Sequence, residues 1–269
     1  MSATAELWDR FLEDGRLADC PIYDMHGHMG PIYGLNINCP DVHSTIKHLD
    51  RAGVRRMVFC AHGALLAPQV GNAAGIEAVA QYPDRLRAYM GVNPNYPEFI
   101  ERDIAEFDKH PGVFVGFKLL ADYHQIPVCD ERNQPVWEMA NERGLPVLLH
   151  TWGGSIYDGY EPVKKAVEKY PNAQVMLGHS LHGCWQQAVD LVKEFPNVYM
   201  ELCAVLDDRG ILEMFVEAVG SKRIVFGTDM PWFSEFYYIG SVLGADITDE
   251  DRRNIFYRNA QKMLGEPVE

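Results

Sequence analysis

The sequence predicts an α/β fold of the (β/α)8, or TIM-barrel, type. Eight short apolar runs recur through the 269-residue chain, and segments with helical periodicity lie between them. Most of these segments stop at a glycine or a proline, where helices usually end. Strands that alternate with helices are typical of a parallel sheet, and eight such units match a closed barrel.

Each apolar run has the composition of a strand that is buried on both faces. The runs are rich in valine, isoleucine, leucine, methionine and aromatic residues, as buried parallel strands are. The predicted strands are Pro21–Met25, Arg56–Cys60, Leu86–Val92, Val113–Leu119, Pro146–Leu149, Gln174–Leu177, Val198–Leu202 and Arg223–Phe226.

The predicted helices fill the intervals between the strands. Residues 1–15 predict a short amphipathic helix, and the last helix follows the acidic capping sequence Thr248–Asp251 and runs to about Leu264. The other predicted helices are Ser44–Ala52, Glu77–Tyr82, Phe99–Lys109, Pro135–Arg143, Pro162–Tyr170 and Trp185–Phe195. No linker interrupts the pattern, so residues 1–269 are predicted to form one domain. The alternative, an open doubly wound sheet, lacks the support of a glycine-rich nucleotide-binding motif.

Composition and charge exclude several classes of function. A hydrophobic fraction of 47% and a charged fraction of 23% are those of a globular protein with a large core. The net charge of −14 argues against nucleic-acid binding. No run reaches the roughly 18 apolar residues of a membrane helix, and the acidic N-terminus argues against a secretory signal. We therefore expect a cytoplasmic protein that binds neither nucleic acid nor membrane.

Side chains that can bind a metal follow four of the predicted strands, at the end of the barrel where active sites form. His26 and His28 follow strand 1 and point the same way, because alternate strand residues share a face. His150 follows strand 5, His179 strand 6 and Asp229 strand 8. Strand 8 lies beside strand 1 and strand 5 lies across the barrel, so His150 and Asp229 can complete the site. Three imidazoles and a carboxylate predict one divalent metal, Zn²⁺ first, with Mn²⁺ and Fe²⁺ as alternatives.

These motifs resemble the amidohydrolase superfamily over nearly the whole chain. The similarity is greatest to its amidohydrolase-related branch, which contains aminocarboxymuconate-semialdehyde decarboxylase-like enzymes and lactone hydrolases. The motifs that carry the resemblance are Tyr23–His28, Val115–Leu119, Leu148–His150, Leu177–His179 and Phe226–Trp232. The resemblance implies that His26, His28, His150 and Asp229 hold the metal and that His179 lies beside the substrate or water. Asp229 and His179 are thus the candidate catalytic residues, and the alternative for His179 is a ligand of a second metal.

Lys118, at the end of strand 4, has three competing interpretations. In two-metal relatives a lysine at this point is carboxylated and bridges the metals, which would imply a second metal here. Alternatively its ammonium group binds a substrate carboxylate, or it forms a structural ion pair. Buried lysines are rare without a partner.

Aromatic and histidine side chains near the strand ends complete the candidate site. Trp152 and Trp232 belong to aromatic loops that follow strands 5 and 8 and include Phe236 and Tyr237. These loops predict either a clamp around an unsaturated or cyclic substrate or a contact between two subunits of a homodimer. His62 and His124 could each line the pocket, but we expect them to face solvent. His182 is expected to lie in the loop or first helical turn after strand 6, and His48 on a helix away from the active face.

The first functional hypothesis is a metal-dependent hydrolase that acts on a small cyclic ester, amide or related carbonyl compound. Metal-bound hydroxide would attack the carbonyl, with Asp229 as the acceptor of the water proton and His179 as a second proton-transfer group. The alternative is a metal-dependent, non-oxidative decarboxylase of an aromatic or muconate-like acid. A third hypothesis is a barrel that keeps its metal site without catalysing a reaction.

Overall fold

A computed structural model of the protein describes residues 6–32, 36–37 and 41–268. Eight parallel strands form one sheet in the order of the sequence, each paired with the next, and helices surround them. The (β/α)8 fold is therefore confirmed. The first five residues of the predicted N-terminal helix, and the last residue of the predicted domain, lie outside the described residues. Within the described ranges, no helix is both long and apolar enough to span a membrane.

The strands lie where the apolar runs predict them, with shifts at their ends. Strands β1, β5 and β6 continue beyond their predicted ends and carry the candidate histidines within the sheet, whereas β8 is only two residues long. The strands are β1 Ile22–Met29, β2 Val54–Ala61, β3 Leu86–Gly91, β4 Phe114–Leu119, β5 Pro146–Trp152, β6 Gln174–His182, β7 Val198–Glu201 and β8 Ile224–Val225. Every strand contributes fully buried apolar side chains to the core.

The helices follow the capping signals of the sequence. Asp41 accepts a hydrogen bond from the amide of Ser44 at the start of α2, and Gly53 ends that helix with a positive φ of 76°. Thr248 and Asp251 form the predicted capping box. The helices are α1 Glu6–Asp14, α2 Val42–Ala52, α3 His62–Leu66, α4 Pro68–Gln81, α5 Pro97–Ala105, α6 Ala121–His124, α7 Gln134–Arg143, α8 Tyr160–Lys169, α9 Trp185–Glu194, α10 Ile211–Val219, α11 Glu235–Gly244, α12 Asp249–Arg253 and α13 Asn259–Met263.

Some helices differ from the sequence-based prediction. Helix α4 is longer than predicted, because its many small residues hide the helical periodicity. Phe236 and Tyr237, predicted to lie in a loop after strand 8, belong to α11, whose residues are apolar or aromatic on several faces. Helix α10 was also missed. In α4 and α11 the apolar stripe of an amphipathic helix is indistinct, so the pattern that predicts a helix is weak.

The short strand β8 meets β1 through the segment that follows it. The amide of Met25 donates to the carbonyl of Phe226 at 2.9 Å, and the amide of Asp229 donates to the carbonyl of His26 at 2.6 Å. The amide of His28 donates to the carbonyl of Met230 at 2.6 Å. These bonds join the two edges of the sheet and set Asp229 beside the histidines of β1.

The contact between β1 and the segment that follows β8, here called the seam, is stabilised by the buried side chain of Asp24. Its carboxylate is fully buried and accepts hydrogen bonds from the Thr228 hydroxyl at 2.5 Å and from the amides of His26 and Thr228 at 3.0 and 3.2 Å. Burial raises the pKa of the carboxyl well above its usual value, although the Thr228 hydrogen bond opposes that rise. One side chain thus fixes the backbone on both sides of the seam.

A second buried carboxylate, Glu235, connects α11 to α2. His48 Nε2 lies 2.6 Å from Glu235 Oε2, and no side-chain donor contacts the other carboxylate oxygen within the described chain. The hydrogen bond to Glu235 raises the pKa of His48 above 6.5, against the opposing effect of burial. His48 was expected to be remote from the active face, but it supports the helix that follows the strand 8 loop.

We expect the stabilising effect of this pair to depend on pH. Because the His48 pKa is raised in the folded protein, the stabilisation is complete below the unfolded pKa of about 6.5 and is lost as the pH rises through the folded pKa. His48→Gln should remove about 1 kcal/mol of stability at pH 6 and much less at pH 9. Urea unfolding of the wild type, this variant and a His43→Gln control at both pH values measures the difference. An equal loss at both pH values would contradict the assignment.

Candidate active site

A cavity of about 200 Å³ opens at the carboxyl ends of the strands. Its inner end is polar and its walls are largely apolar and aromatic. The polar lining residues are His26, His28, His62, Lys118, His150, His179 and Asp229. The remaining lining residues are Ile32, Leu65, Leu66, Leu120, Tyr123, Trp152, Ala204, Trp232 and Phe233. All eight residues that were predicted to form the site therefore line one cavity.

Three of the four predicted metal ligands are in direct contact. Oδ1 of Asp229 lies 3.0 Å from Nε2 of His28 and 3.4 Å from Nε2 of His26. Asp229 adopts a positive φ of 59°, a conformation that aspartate tolerates better than most residues. His150 lines the same cavity, and its ring centre lies 4.8 Å from that of His179. No direct contact joins His150 to Asp229.

Buried carboxylates hold two of the imidazoles. Nδ1 of His26 lies 3.1 Å from Oε2 of Glu201, and Nδ1 of His150 lies 2.9 Å from Oδ2 of Asp158. Both carboxylates are inaccessible to solvent. A carboxylate on Nδ1 fixes the tautomer of the imidazole, so that the lone pair is on Nε2, the atom that would bind a metal. Asp158 was not among the residues predicted from sequence, because nothing in the sequence shows that its loop folds back beside strand 5.

The other two imidazoles are held by a carbonyl and a thiol. Nδ1 of His28 lies 2.8 Å from the carbonyl oxygen of Cys60, and Nδ1 of His179 lies 2.8 Å from Sγ of Cys203. Cys203 is a fully buried residue that sequence reasoning missed. Its sulfur and donor atoms of His26, His179 and Asp229 lie within 4.8 Å of one another.

Glu201 organises the inner end of the cavity. Besides His26, it accepts hydrogen bonds from the amide of His179 at 3.0 Å and from the amide of Cys203 at 2.8 Å. A β-carbon at Gly227 would lie 2.2 Å from Oε1 of Glu201, so only glycine fits at that position. Burial raises the pKa of Glu201 to about 7, although the hydrogen bonds from the two amides oppose the rise.

The protonation of the cavity residues suits a cation. Burial lowers the pKa of His26 and of His179 well below 6.5, and neighbouring cationic groups lower both further, so the imidazoles are neutral. Burial would raise the pKa of Asp229, but the adjacent His26 and His28 lower it below its usual value. Neutral imidazoles and an ionised carboxylate are the donors that a divalent transition metal requires. The residues therefore fit the predicted ion.

Lys118 lies next to these donors. Its Nζ is 2.9 Å from Nε2 of His26, and the residue is only 2% exposed. Burial lowers the pKa of its ammonium group. Across the described ranges no carboxylate lies within 4.0 Å of Nζ, so the structural ion pair considered from sequence has no partner there.

Three histidines differ from the sequence-based expectation. His62 and His124 are buried, not exposed to solvent, because helices α3 and α6 fold over the barrel end. His62 lines the cavity, whereas Nε2 of His124 meets the carbonyl of Leu65 at 2.5 Å. His182 is the last residue of β6 and stacks on Trp152 with ring centres 4.1 Å apart. Tyr123 of α6, which sequence reasoning did not single out, also faces the cavity.

The chain belongs to the amidohydrolase family. The family model described as "Amidohydrolase" matches residues 23–265, which include every cavity residue named above. The protein is therefore an enzyme of the amidohydrolase superfamily, as the sequence motifs imply.

Several of the similar proteins are decarboxylases. A gamma-resorcylate decarboxylase of Polaromonas sp. is 24% identical over 242 residues, which cover 70% of this chain and 73% of that protein. A 2,6-dihydroxybenzoate decarboxylase from Rhizobium superposes with a TM-score of 0.75 at 14% identity, over 91% of this chain and 99% of that one. A dihydroxybenzoic acid decarboxylase from Polaromonas sp., solved with manganese and the inhibitor 2-nitroresorcinol, gives a TM-score of 0.72 at 17% identity, over 91% and 97%.

These relatives overturn the first functional hypothesis. The expectation of a hydrolase for cyclic esters or amides is wrong, because the similar proteins remove a carboxyl group from aromatic acids. The error has a physical cause. A cation held by imidazole and carboxylate ligands can either activate water or bind a substrate carboxylate. The donor set alone therefore does not select the reaction.

Removing the carboxylate behind His150 should weaken metal binding without unfolding the protein. Asp158→Asn keeps the size of the side chain but replaces an ionised acceptor, so we expect roughly 10- to 100-fold weaker Mn²⁺ binding. Competition with a fluorescent chelator measures the affinity, and circular dichroism checks the fold. The exposed Asp108→Asn is the control, since among the described residues Asp108 pairs only with Arg143, at the surface. Unchanged affinity in Asp158→Asn would show that Asp158 does not support a ligand.

Proposed function

We propose that the protein catalyses the metal-dependent, non-oxidative decarboxylation of an aromatic acid that carries an oxygen substituent beside its carboxyl group. The observation that carries the proposal is the contact of Asp229 with His26 and His28 in a cavity that also holds the imidazole of His179 and a buried lysine. The decarboxylase relatives support this reaction, and the rings of Trp152 and Trp232 in the cavity walls suit an aromatic substrate.

His26, His28, His150 and Asp229 are the residues that would hold the metal. A divalent cation there would neutralise the charge of the substrate carboxylate and of its neighbouring oxygen and hold both oxygens in place. The manganese in a solved relative makes Mn²⁺ the first ion to test, although the donor set alone also suits Zn²⁺. Asp229 remains ionised, because the adjacent imidazoles lower its pKa.

His179 is the proposed proton donor. In decarboxylation the bond between the ring carbon and the carboxyl carbon breaks, CO₂ leaves, and a proton must reach the ring carbon. Cys203 holds Nδ1 of His179, so Nε2 is the atom that can serve the substrate. A bound carboxylate anion favours the protonated imidazole, and water restores the proton after each turnover.

Lys118 is proposed to bind the substrate carboxylate as an ammonium group. It is a buried cation that lines the cavity without a carboxylate partner in the described part of the chain, so an anionic substrate would supply its missing counter-charge. The alternative is a carboxylated Lys118, which would bridge the first metal and a second one.

The reaction can be tested with a panel of hydroxybenzoates. We expect the Mn²⁺-loaded protein to release CO₂ from 2-hydroxybenzoates, and in D₂O the product should carry one deuterium at the ring carbon that held the carboxyl group. His179→Asn should lower kcat by roughly 10²- to 10⁴-fold at unchanged metal content, whereas Asp229→Asn should lose the metal. Absence of CO₂ from every acid in the panel would reject decarboxylation of this substrate class.

Lys118→Met separates the two proposals for the lysine. If the ammonium group binds the carboxylate, KM should rise about 10- to 100-fold while one metal ion per chain is retained. If a carboxylated lysine bridges two metals, the variant should lose one of two ions and most of its kcat. Elemental analysis and steady-state kinetics on the same preparations decide between these outcomes.

A further inference from the structure

His62 is completely engaged by protein groups although it lines the cavity. Its Nδ1 lies 2.7 Å from the carbonyl oxygen of Gly30, and its Nε2 lies 2.9 Å from the indole nitrogen of Trp232. The indole N–H can only donate and the carbonyl can only accept. His62 must therefore carry its proton on Nδ1, and neither nitrogen remains free to bind a metal or to transfer a proton to a substrate.

The ring of His62 lies against the ring of a proposed metal ligand. The planes of His62 and His28 are 16° from parallel, and their centres are 5.0 Å apart. The carbonyl of Cys60 already fixes Nδ1 of His28. Together the hydrogen bond and the stacked ring restrict both the position of the His28 imidazole and its rotation.

Trp232 belongs to the segment that carries another proposed ligand. Its backbone amide donates to the carbonyl of Asp229 at 2.9 Å, which closes a turn directly after that residue. The hydrogen bond from its indole to His62 therefore connects the turn after β8 with the start of α3. Trp232 is 42% exposed, so this connection lies at the mouth of the cavity.

We propose that His62 and Trp232 act as a pair of positioning residues that hold His28 and Asp229 in metal-binding geometry. The inference rests on the metal site of the proposed function. Neither residue contacts the metal: His62 restrains the plane of one ligand, and Trp232 ties the backbone next to the other to His62. His62 follows β2 and Trp232 follows β8, which are the strands on either side of β1. The pair therefore spans the strand that carries His28.

Metal affinity tests the pair directly. Trp232→Phe keeps an aromatic ring and removes only the indole N–H, and His62→Ala removes the stacked ring. We expect each variant to bind Mn²⁺ about 10-fold more weakly than the wild type in chelator competition. The double variant should lose less than the product of the two single losses, because both substitutions break the same hydrogen bond. His62→Gln, which offers an acceptor to Trp232, should recover part of the affinity lost in His62→Ala.

Trp185→Phe is the matched control. It also removes an indole hydrogen bond, from Trp185 to Asp208, but at the surface and outside the cavity lining. If Trp232→Phe and Trp185→Phe bind Mn²⁺ equally well, or if the losses at positions 62 and 232 multiply independently, the positioning role is overturned while the proposed function stands. If the wild type binds neither Mn²⁺ nor Zn²⁺, the proposed function and this inference are both rejected.

Discussion

The candidate site depends on how the last strand of the barrel meets the first. Strand β8 has only two residues in regular pairing, and the following segment completes the contact through individual backbone hydrogen bonds. The buried Asp24 carboxylate joins the two sides, because it accepts donors from His26 on β1 and from Thr228 beyond β8. Without that seam, Asp229 would have no fixed relation to the two histidines of β1, and the three donors would not share one cation.

A second principle is that a neighbouring protein group fixes the orientation of each imidazole at the inner end of the cavity. Glu201, Asp158, the carbonyl of Cys60 and the thiol of Cys203 each hold one Nδ1 atom. Such polar groups are costly to bury unless every partner is present. The network therefore lowers the stability of the fold but fixes the positions of the Nε2 atoms. A metal or a substrate can then bind without further reorganisation of the site.

The distinction between hydrolysis and decarboxylation lies outside the ligand set. The same histidines and aspartate serve both reactions, so the difference depends on which substrate atoms the rest of the cavity accepts. Here the walls are apolar and aromatic, and the buried Lys118 side chain lies beside His26. We propose that an ammonium group at this position favours an aromatic anion over a neutral cyclic ester, in agreement with the decarboxylase relatives. The candidate ligands can be predicted from sequence because each lies in a short motif at the end of a strand. The shape of the cavity cannot, because its walls come from distant parts of the chain.

The sequence by itself determined the barrel, the order of its strands and the eight residues proposed for the site. These features depend on local patterns: buried strands have distinctive composition, and polar side chains at their carboxyl ends converge in any closed barrel. Only the tertiary structure decided that His62 is buried and hydrogen-bonded to Trp232, that Asp158 contacts His150, and that Cys203 contacts His179. Those contacts join residues through loops and short helices whose paths follow no periodic pattern. They depend on packing across the end of the barrel, which becomes defined only when all eight strands are in place.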